Sequence, residues 1–322
     1  MKTILAVLAG IAAATLLPQQ ASADDYPNRT VRIIEPYSAG GAPDVLLRLV
    51  AQKLTEKWKQ PVVVENRPGG NTLIGTTAVT KSDPDGYTLL LTADQTFILN
   101  PLLYAKLPYS MKELEPIVLM ASIPHMLAVA NKVPVTNVKE LIALAKSKPG
   151  TLMYGSTGPA SIQRLAAEYF AGIAGIKLVH VPYKGAPETT TAVLTGEIDM
   201  TINGMSNILP HIKSKGLKAL AISTEKRNPL TPDIPTMQEA GVPGYVSKGA
   251  FGLLAPAGTP SAVKQKVAKD VGEILTQPDV VDALGKLSFV VDNFGPADFE
   301  KMISTETIKW GEVVKRLNIK IE

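Results

Sequence analysis

The sequence predicts an α/β protein built from two lobes, and three observations carry this prediction. Short β-branched runs alternate with amphipathic helical segments, which is the pattern of a parallel sheet with helices on its faces. A strand that feeds a helix through a loop of small residues occurs twice, near residue 38 and near residue 156. The chain has 322 residues, which exceeds the size at which a single hydrophobic core usually stops growing.

The first 23 residues have the organisation of a secretory signal peptide. Lys2 precedes an apolar run from Ile4 to Leu17, and the segment 21–23 (ASA) is a small-residue cleavage site. The apolar run is shorter than the roughly 20 residues that a membrane span needs. The sequence has no cysteine, so neither a disulfide framework nor a lipid-modified N-terminal cysteine is expected. We therefore expect a periplasmic protein without a lipid anchor.

The first lobe is expected to begin with a β-α-β-α-β unit. Its strands are predicted at 31–34, 61–65 and 87–92. Between the first strand and its helix lies the segment 37–41 (YSAGG), in which four small residues leave the backbone accessible. Pro43 and Asp44 both favour the first turn of the helix that follows. Such a loop presents unpaired N–H groups and predicts an anion site, although a tight strand-to-helix turn is the simpler interpretation.

The second lobe repeats this pattern after predicted strands at 115–120 and 126–130. Its glycine- and serine-rich loop covers 155–161, before a helix predicted at 162–172. A strand predicted at 251–255 then returns to the first lobe. The C-terminal helix, near 296–317, is apolar along Phe299, Ile303, Ile308 and Val314 and is expected to pack on that lobe. The expected division is a signal peptide at 1–23, lobe 1 at 24–125 and 250–322, and lobe 2 at 126–249.

Ligands of open α/β sheets bind beyond the carboxyl ends of the strands, so the two small-residue loops are expected to face each other across a cleft. Asn71, Ala93 and Asn203 each follow or end a strand on that side. Tyr183 begins a helix at the cleft side of the second lobe. These positions are therefore candidates for ligand contact.

Other chemistry has no support in the sequence. His125, His180 and His211 are dispersed and lack the spacing of metal ligands. There is no G-x-S-x-G elbow, and no P-loop ending in Gly-Lys-Ser/Thr. The net charge is +4 without a Lys/Arg run of the nucleic-acid-binding kind. We expect no metal, no cofactor, no nucleic-acid partner and no catalysis; a hydrolase or transferase that uses Ser156 or Ser161 is the alternative.

Eight segments carry a resemblance to a known family. They are 36–44 (PYSAGGAPD), 61–70 (PVVVENRPGG), 84–89 (PDGYTL), 100–104 with 107–109 (NPLLY, LPY), 181–185 (VPYKG), 195–199 (TGEID), 232–236 with 239–241 (PDIPT, EAG), and 254–260 (LAPAGTP). In this order they resemble the solute-binding proteins of tripartite tricarboxylate transporters, the Bug or TctC-like family. The resemblance covers the chain from about Tyr26 to about Leu317.

The resemblance implies a type II periplasmic-binding-protein fold, two α/β lobes that close on a ligand in the cleft between them. It implies a monomeric receptor that captures a small organic carboxylate, such as a di- or tricarboxylate or an aromatic acid. The partner it implies is a membrane permease with a large and a small subunit. A ligand-sensing accessory protein for a membrane kinase is an alternative that requires the same cleft.

The resemblance also implies which residues hold one ligand carboxylate, namely 38–41 in the first loop and 156–158 with Ser161 in the second. Departures from the family pattern concern the rest of the ligand. Arg164 replaces a common histidine and is a candidate contact for a second carboxylate. Ala160 stands in place of a common glycine, and Thr72-Leu73 in place of Gly-Asn. Asn203 stands where relatives commonly carry Asp, which favours a plain acid over an amine-bearing ligand.

The predicted ligand-binding residues are therefore Tyr37, Ser38, Ala39, Gly40, Gly41, Asp44, Asn71, Ala93, Ser156, Thr157, Gly158, Ser161, Arg164, Tyr183 and Asn203.

Overall fold

The computed structural model describes residues 26–158 and 161–317, which form two α/β lobes around a shared ten-stranded sheet. The predicted signal peptide and Ala160 lie outside the described residues. The strands are β1 Val31–Glu35, β2 Val62–Asn66, β3 Thr88–Ala93, β4 Leu114–Ala130, β5 Met153–Ser156, β6 Val179–Pro182, β7 Met200–Gly204, β8 Leu217–Ile222, β9 Lys248–Pro256 and β10 Val290–Phe294. The predicted class, α/β with two lobes, is confirmed.

The helices alternate with these strands, as the sequence pattern indicates. They are α1 Ala42–Trp58, α2 Leu73–Thr80, α3 Asn100–Leu103, α4 Val138–Ser147, α5 Ile162–Ala174, α6 Ala186–Thr195, α7 Met205–Lys213, α8 Ser261–Leu275, α9 Pro278–Lys286 and α10 Pro296–Leu317. A π-helical turn, Gln95–Leu99, and a 3₁₀ turn, Met111–Glu113, complete the set. Helix α7 was not predicted from the sequence because Pro210 interrupts its helical pattern. No helix in the described residues is long and apolar enough to cross a membrane.

Each lobe contains a three-stranded parallel unit with the same strand order. In the first, β1 lies between β2 and β3, with Ile33 opposite both Val64 and Leu89. In the second, β5 lies between β6 and β7, with Tyr154 opposite both His180 and Met200. The repeated strand–loop–helix pattern in the sequence thus corresponds to a repeated architecture. In both units the small-residue loops leave the carboxyl end of the central strand.

Strand β4 runs through both lobes. Its first part pairs antiparallel with β9 as far as Pro124 opposite Lys248, and its last part pairs with β7 from His125 opposite Gly204. The sequence predicts two strands here because the segment 121–125 breaks the apolar run with serine, proline and histidine. The change of partner lies beside the lobe boundaries expected from the sequence. We propose those boundaries, 24–125 with 250–322 and 126–249, as the division into lobes.

Helix α10 contacts both lobes. In lobe 1, Phe299 packs edge-on against Phe97, with ring centroids 5.3 Å apart. In lobe 2, Trp310 packs edge-on against Tyr169 at 5.9 Å. The predicted packing on lobe 1 is therefore only part of its role. Ile308, expected on the packed face, is 68% exposed, because nine residues at about 100° each place it opposite Phe299.

Candidate ligand-binding cleft

A cavity of about 590 Å³ lies between the two lobes. Its walls are formed by loops from both lobes, and its floor includes Ile123 and His125 from the shared strand β4. Of the predicted residues, the structure places at the cavity wall Tyr37, Ser38, Asn71, Ala93, Thr157, Gly158, Ser161 and Asn203. It does not bring the other predicted residues to the wall, and these are Ala39, Gly40, Gly41, Asp44, Ser156, Arg164 and Tyr183.

Several helices begin at the cavity wall. Residues of the first turns of α1, α5, α6 and α7 line it, and these are Ala42, Ile162, Ala186 and Ser206. The first N–H groups of a helix lack partners within the helix, and the helix dipole adds partial positive charge there. The described wall residues include no lysine or arginine. Helix ends from both lobes therefore make the cavity suitable for a small anion without a fixed cation.

The first loop is shaped by Asp44, which lies behind it rather than at the wall. Asp44 Oδ2 accepts hydrogen bonds from the Gly40 N–H at 2.9 Å and from Arg48 Nε at 2.8 Å. The hydrogen bond from Arg48 holds the pKa of Asp44 well below its usual range. Gly40 has a φ of +84°, a conformation that favours glycine. The Gly40 N–H, predicted as a ligand donor, is therefore engaged within the protein.

A second carboxyl group, that of Glu35, lies beneath the same loop. Its side chain is buried, and Asn66 Nδ2 donates both to Glu35 Oε2 at 3.2 Å and to Asp44 Oδ1 at 3.0 Å. Burial, followed by the nearby charge of Asp44, raises the pKa of Glu35 to about 8. At neutral pH the pair thus holds one proton on Glu35 and a negative charge on Asp44.

The second loop is held by Ser156 from below. Ser156 Oγ contacts His180 Nε2 at 2.6 Å and accepts a hydrogen bond from the Gly158 N–H at 3.2 Å. Ser161 Oγ donates to the Gly158 carbonyl at 2.8 Å and accepts from the Arg164 N–H at 3.3 Å, so it caps α5. Burial, and to a smaller extent the charge of Arg164, lowers the pKa of His180 to about 4. His180 is therefore a neutral support for the loop.

Two predicted side-chain contacts outside the wall, Arg164 and Tyr183, have partners in the protein. Arg164 interacts with the hydroxyl of Tyr154, behind the second loop. The Tyr183 hydroxyl donates to Glu197 at 2.9 Å on the surface. At the wall, by contrast, the Tyr37 hydroxyl accepts from the Ala93 N–H at 3.0 Å, which joins the first loop to the end of β3.

Sequence reasoning missed Asp94 and His125 at the cavity floor. Asp94 directly follows β3, and its Oδ2 is 3.4 Å from the donating Ala250 N–H. Burial raises the pKa of Asp94 to about 7. His125 Nδ1 contacts Ser247 Oγ at 2.7 Å, and burial lowers the pKa of His125 to about 4. Asp94 could have been found from the sequence, because it follows a strand, and this is the criterion by which Ala93 was chosen.

Asn203 presents an unused donor at the floor. Its side chain is fully buried, and its Oδ1 accepts a hydrogen bond from the Gly204 N–H at 2.8 Å. Its Nδ2 has no hydrogen-bond partner among the described residues. A buried amide N–H without a partner is costly, so it indicates an acceptor supplied from outside the protein.

Two α/β lobes with a polar, anion-suited cavity between them define a solute-binding receptor. The model of the tripartite tricarboxylate transporter family receptor, TctC, matches residues 46–319. The protein BugT of Bordetella pertussis is 32% identical over 324 residues, covering 100% of this chain and 99% of BugT. The chain belongs to the TctC family of solute-binding receptors.

Solved structures of similar proteins agree with this assignment. A protein of R. palustris, solved with adipate, has a TM-score of 0.83 and 31% identity, over 92% of this chain and 99% of that one. MatC from Rhodopseudomonas palustris, solved with bound malate, has a TM-score of 0.77 and 27% identity, over 90% and 100% of the two chains. The periplasmic-binding-protein fold expected from the resemblance is thereby confirmed.

The enzyme alternative has no support. The family consists of receptors, not enzymes. Ser156, the candidate nucleophile, is buried away from the cavity despite its contact with His180. Ser161 serves as the N-cap of α5. Among residues 26–158 and 161–317, no cluster of metal-ligating side chains is found.

Proposed function

We propose that this protein is a periplasmic receptor that captures a small organic carboxylate and delivers it to a tripartite tricarboxylate-type permease. The observation that carries the proposal is the set of helix N-termini at a cavity whose described wall contains no lysine or arginine. A carboxylate of modest size fits both this polarity and a volume of about 590 Å³. The adipate and malate in the similar structures belong to the same chemical class.

The predicted wall residues are the proposed contacts. Ser38 from the first lobe offers a hydroxyl group and Asn203 from the second lobe offers its unpaired amide, whereas the Thr157 hydroxyl donates to Gln163 Oε1 at 2.9 Å. Contacts from both lobes favour the closed arrangement when ligand is bound. We propose that the receptor acts as a monomer, since one chain supplies both walls of the cavity.

Binding is tested by thermal-shift screening of the purified protein against mono-, di- and tricarboxylic and aromatic acids, followed by calorimetric titration of any acid that shifts the midpoint. A ligand at about 100 times its Kd stabilises the folded state by about 2.7 kcal/mol. A protein that binds no carboxylate in such a screen lacks the proposed function.

Two matched variants locate the site. A Cβ at Gly249, on the cavity wall, would meet its nearest atoms only at 3.9 Å, so Gly249→Leu projects into the cavity without a backbone clash. A Cβ at Gly285, in α9, meets nothing within 4 Å and lies away from the cavity. We expect Gly249→Leu to abolish binding and Gly285→Leu to preserve it. Equal binding by both variants would place the ligand elsewhere.

Delivery is tested in cells that express the permease subunits. Uptake of the bound acid, labelled with ¹⁴C, should require this receptor and should be lost with Gly249→Leu. Uptake that is unchanged without the receptor would contradict the transport part of the proposal and leave the binding part standing.

A further inference from the structure

The cavity has a single carboxylate and no fixed positive charge in its described wall. Asp94 is the only aspartate or glutamate among the lining residues, and none of them is lysine or arginine. Arg164, which the sequence offered as a contact for a second carboxylate, interacts with Tyr154 behind the second loop instead. A ligand with two carboxylates would therefore meet a negative group and no cation.

Asp94 lacks a counter-charge of its own. It is 4% exposed, and its hydrogen-bond donors among the described residues are the backbone N–H groups of Ala250, at 3.4 Å, and Gln95. The charged neighbours on α10 are Glu306 and Lys309, whose side chains pair with each other at 2.5 Å. Tyr37 interacts electrostatically with Asp94, and His125, which lines the same cavity, is neutral above pH 5 since its pKa is about 4. A buried carboxylate of this kind is stabilised when a cationic partner arrives.

The hydrogen-bond donor Asn203 and the acceptor Asp94 lie at different strands of the cavity floor. The sheet order β3-β9-β4-β7 separates Asp94, at the end of β3, from Asn203, in β7. The Asn203 amide offers a hydrogen-bond donor to an oxygen, whereas Asp94 offers an acceptor. The floor is therefore polarised along its length.

We propose that Asp94 determines specificity: the ligand carries one carboxylate and, at its other end, a protonated nitrogen that pairs with Asp94. This inference rests on the proposed carboxylate-binding function and narrows its ligand class. It differs from the dicarboxylates present in the two similar structures. It also reverses the expectation, drawn from Asn203, that the ligand is a plain acid. Asp94 of lobe 1 supplies the carboxylate that position 203 of lobe 2 lacks.

The experiment compares acids that differ only at one end. At pH 8, binding of 5-aminopentanoate is compared with that of adipate, and binding of β-alanine with that of succinate. Each pair keeps the same number of methylene groups and exchanges an ammonium for a carboxylate. The wild-type protein should favour at least one amino acid over its dicarboxylate partner by at least about tenfold, because the distal charge meets Asp94 in a low-dielectric cavity.

Asp94→Asn keeps the shape of the side chain and removes its charge. It should cancel this preference, by weakening the amino acid and strengthening the dicarboxylate. Asp279→Asn is the control, because this substitution removes the same charge away from the cavity. Asp279 pairs with Lys53 on the surface. This control should keep the wild-type ratio.

A pH series on the wild-type protein tests the inference even if Asp94→Asn folds poorly. Between pH 6 and pH 8 both ends of 5-aminopentanoate keep their charges, since carboxyl groups titrate near 4 and amines near 10. Affinity should rise over this interval as Asp94 loses its proton, and it should stay flat in Asp94→Asn.

The outcomes separate this inference from the proposed function. If neither amino acid binds the wild-type protein at pH 8 more tightly than its dicarboxylate partner, the inference is overturned and the receptor function stands. If dicarboxylate affinity rises on acidification and no amino acid binds, protonated Asp94 donates to a second carboxylate and the inference is again overturned. If neither these acids nor the broader panel bind, both fail.

Discussion

The N–H of Gly40 donates a hydrogen bond to Oδ2 of Asp44 at 2.9 Å, so the first cleft loop is fixed by the helix that follows it. The second loop is fixed in an equivalent way, by the hydrogen bond from Gly158 N–H to Ser156 Oγ. In each lobe a buried side chain thus uses a glycine N–H that a sequence reading assigns to the ligand. A loop ordered before binding loses less conformational entropy when the ligand arrives.

Asp44→Ala should loosen the first loop. The change removes the acceptor for Gly40, Arg48 and Asn66, so we expect the free energy of unfolding to fall by about 1–3 kcal/mol. Ligand affinity should fall as well, although Asp44 does not line the cavity. Urea unfolding and calorimetric titration measure the two effects. The control Asp282→Ala removes an exposed pair with Lys286 and should change stability by less than about 0.5 kcal/mol.

Glu35→Gln should stabilise the protein more at pH 8 than at pH 5. The folded-state pKa of Glu35, about 8, lies above the ordinary value, so its contribution to stability is complete below about pH 4 and is lost as pH rises through 8. Glutamine stays neutral throughout and avoids this loss. Thermal midpoints of both proteins at the two pH values test the prediction. A constant difference between them would mean that Glu35 is not perturbed, and the exposed Glu300→Gln is the matched control.

Ser156→Ala should lower the stability of the protein by loosening the second loop. His180 Nε2 and the Gly158 N–H, both partly buried, would lose their shared partner, and the net loss of a hydrogen bond costs about 0.5–1.5 kcal/mol. Ligand affinity should fall in parallel because Gly158 lines the cavity. Ser147→Ala, at an exposed helix end, is the control and should leave both quantities unchanged. Unaltered affinity in Ser156→Ala would show that the loop keeps its shape without this contact.

Most of the fold was predictable because local patterns determine it. The alternation of β-branched runs with amphipathic segments located β1 to β3 and predicted the same pattern in lobe 2, and the small-residue loops located both sides of the cavity. The floor was harder to predict. Its polar groups that were not predicted, His125 and Asp94, come from the crossing strand β4 and from the end of β3, which are brought together only by pairing with β9.

Long-range contacts account for the other differences. Ser156 and His180 are 24 residues apart, and nothing in their spacing shows that parallel pairing of β5 with β6 brings them to 2.6 Å. Arg164 was predicted from its place in the sequence to contact a ligand carboxylate. In the structure it interacts with Tyr154 instead. Which face of a helix end meets the cavity depends on packing, so a motif alone did not determine it.

Trp310→Ala should destabilise the protein and reveal how far α10 holds the lobes together. Trp310 is almost fully buried, packs against Tyr169 of lobe 2 and donates from Nε1 to Glu306 at 2.9 Å. Truncating a buried tryptophan costs about 3–5 kcal/mol, and the conservative Trp310→Phe should cost less. Tyr169→Phe removes only a hydroxyl that donates to the Gly244 carbonyl at 3.2 Å, so it is the matched control. Because α10 contacts both lobes, unfolding of Trp310→Ala should lose cooperativity. A single sharp transition at the wild-type denaturant concentration would show that α10 contributes little to coupling between the lobes.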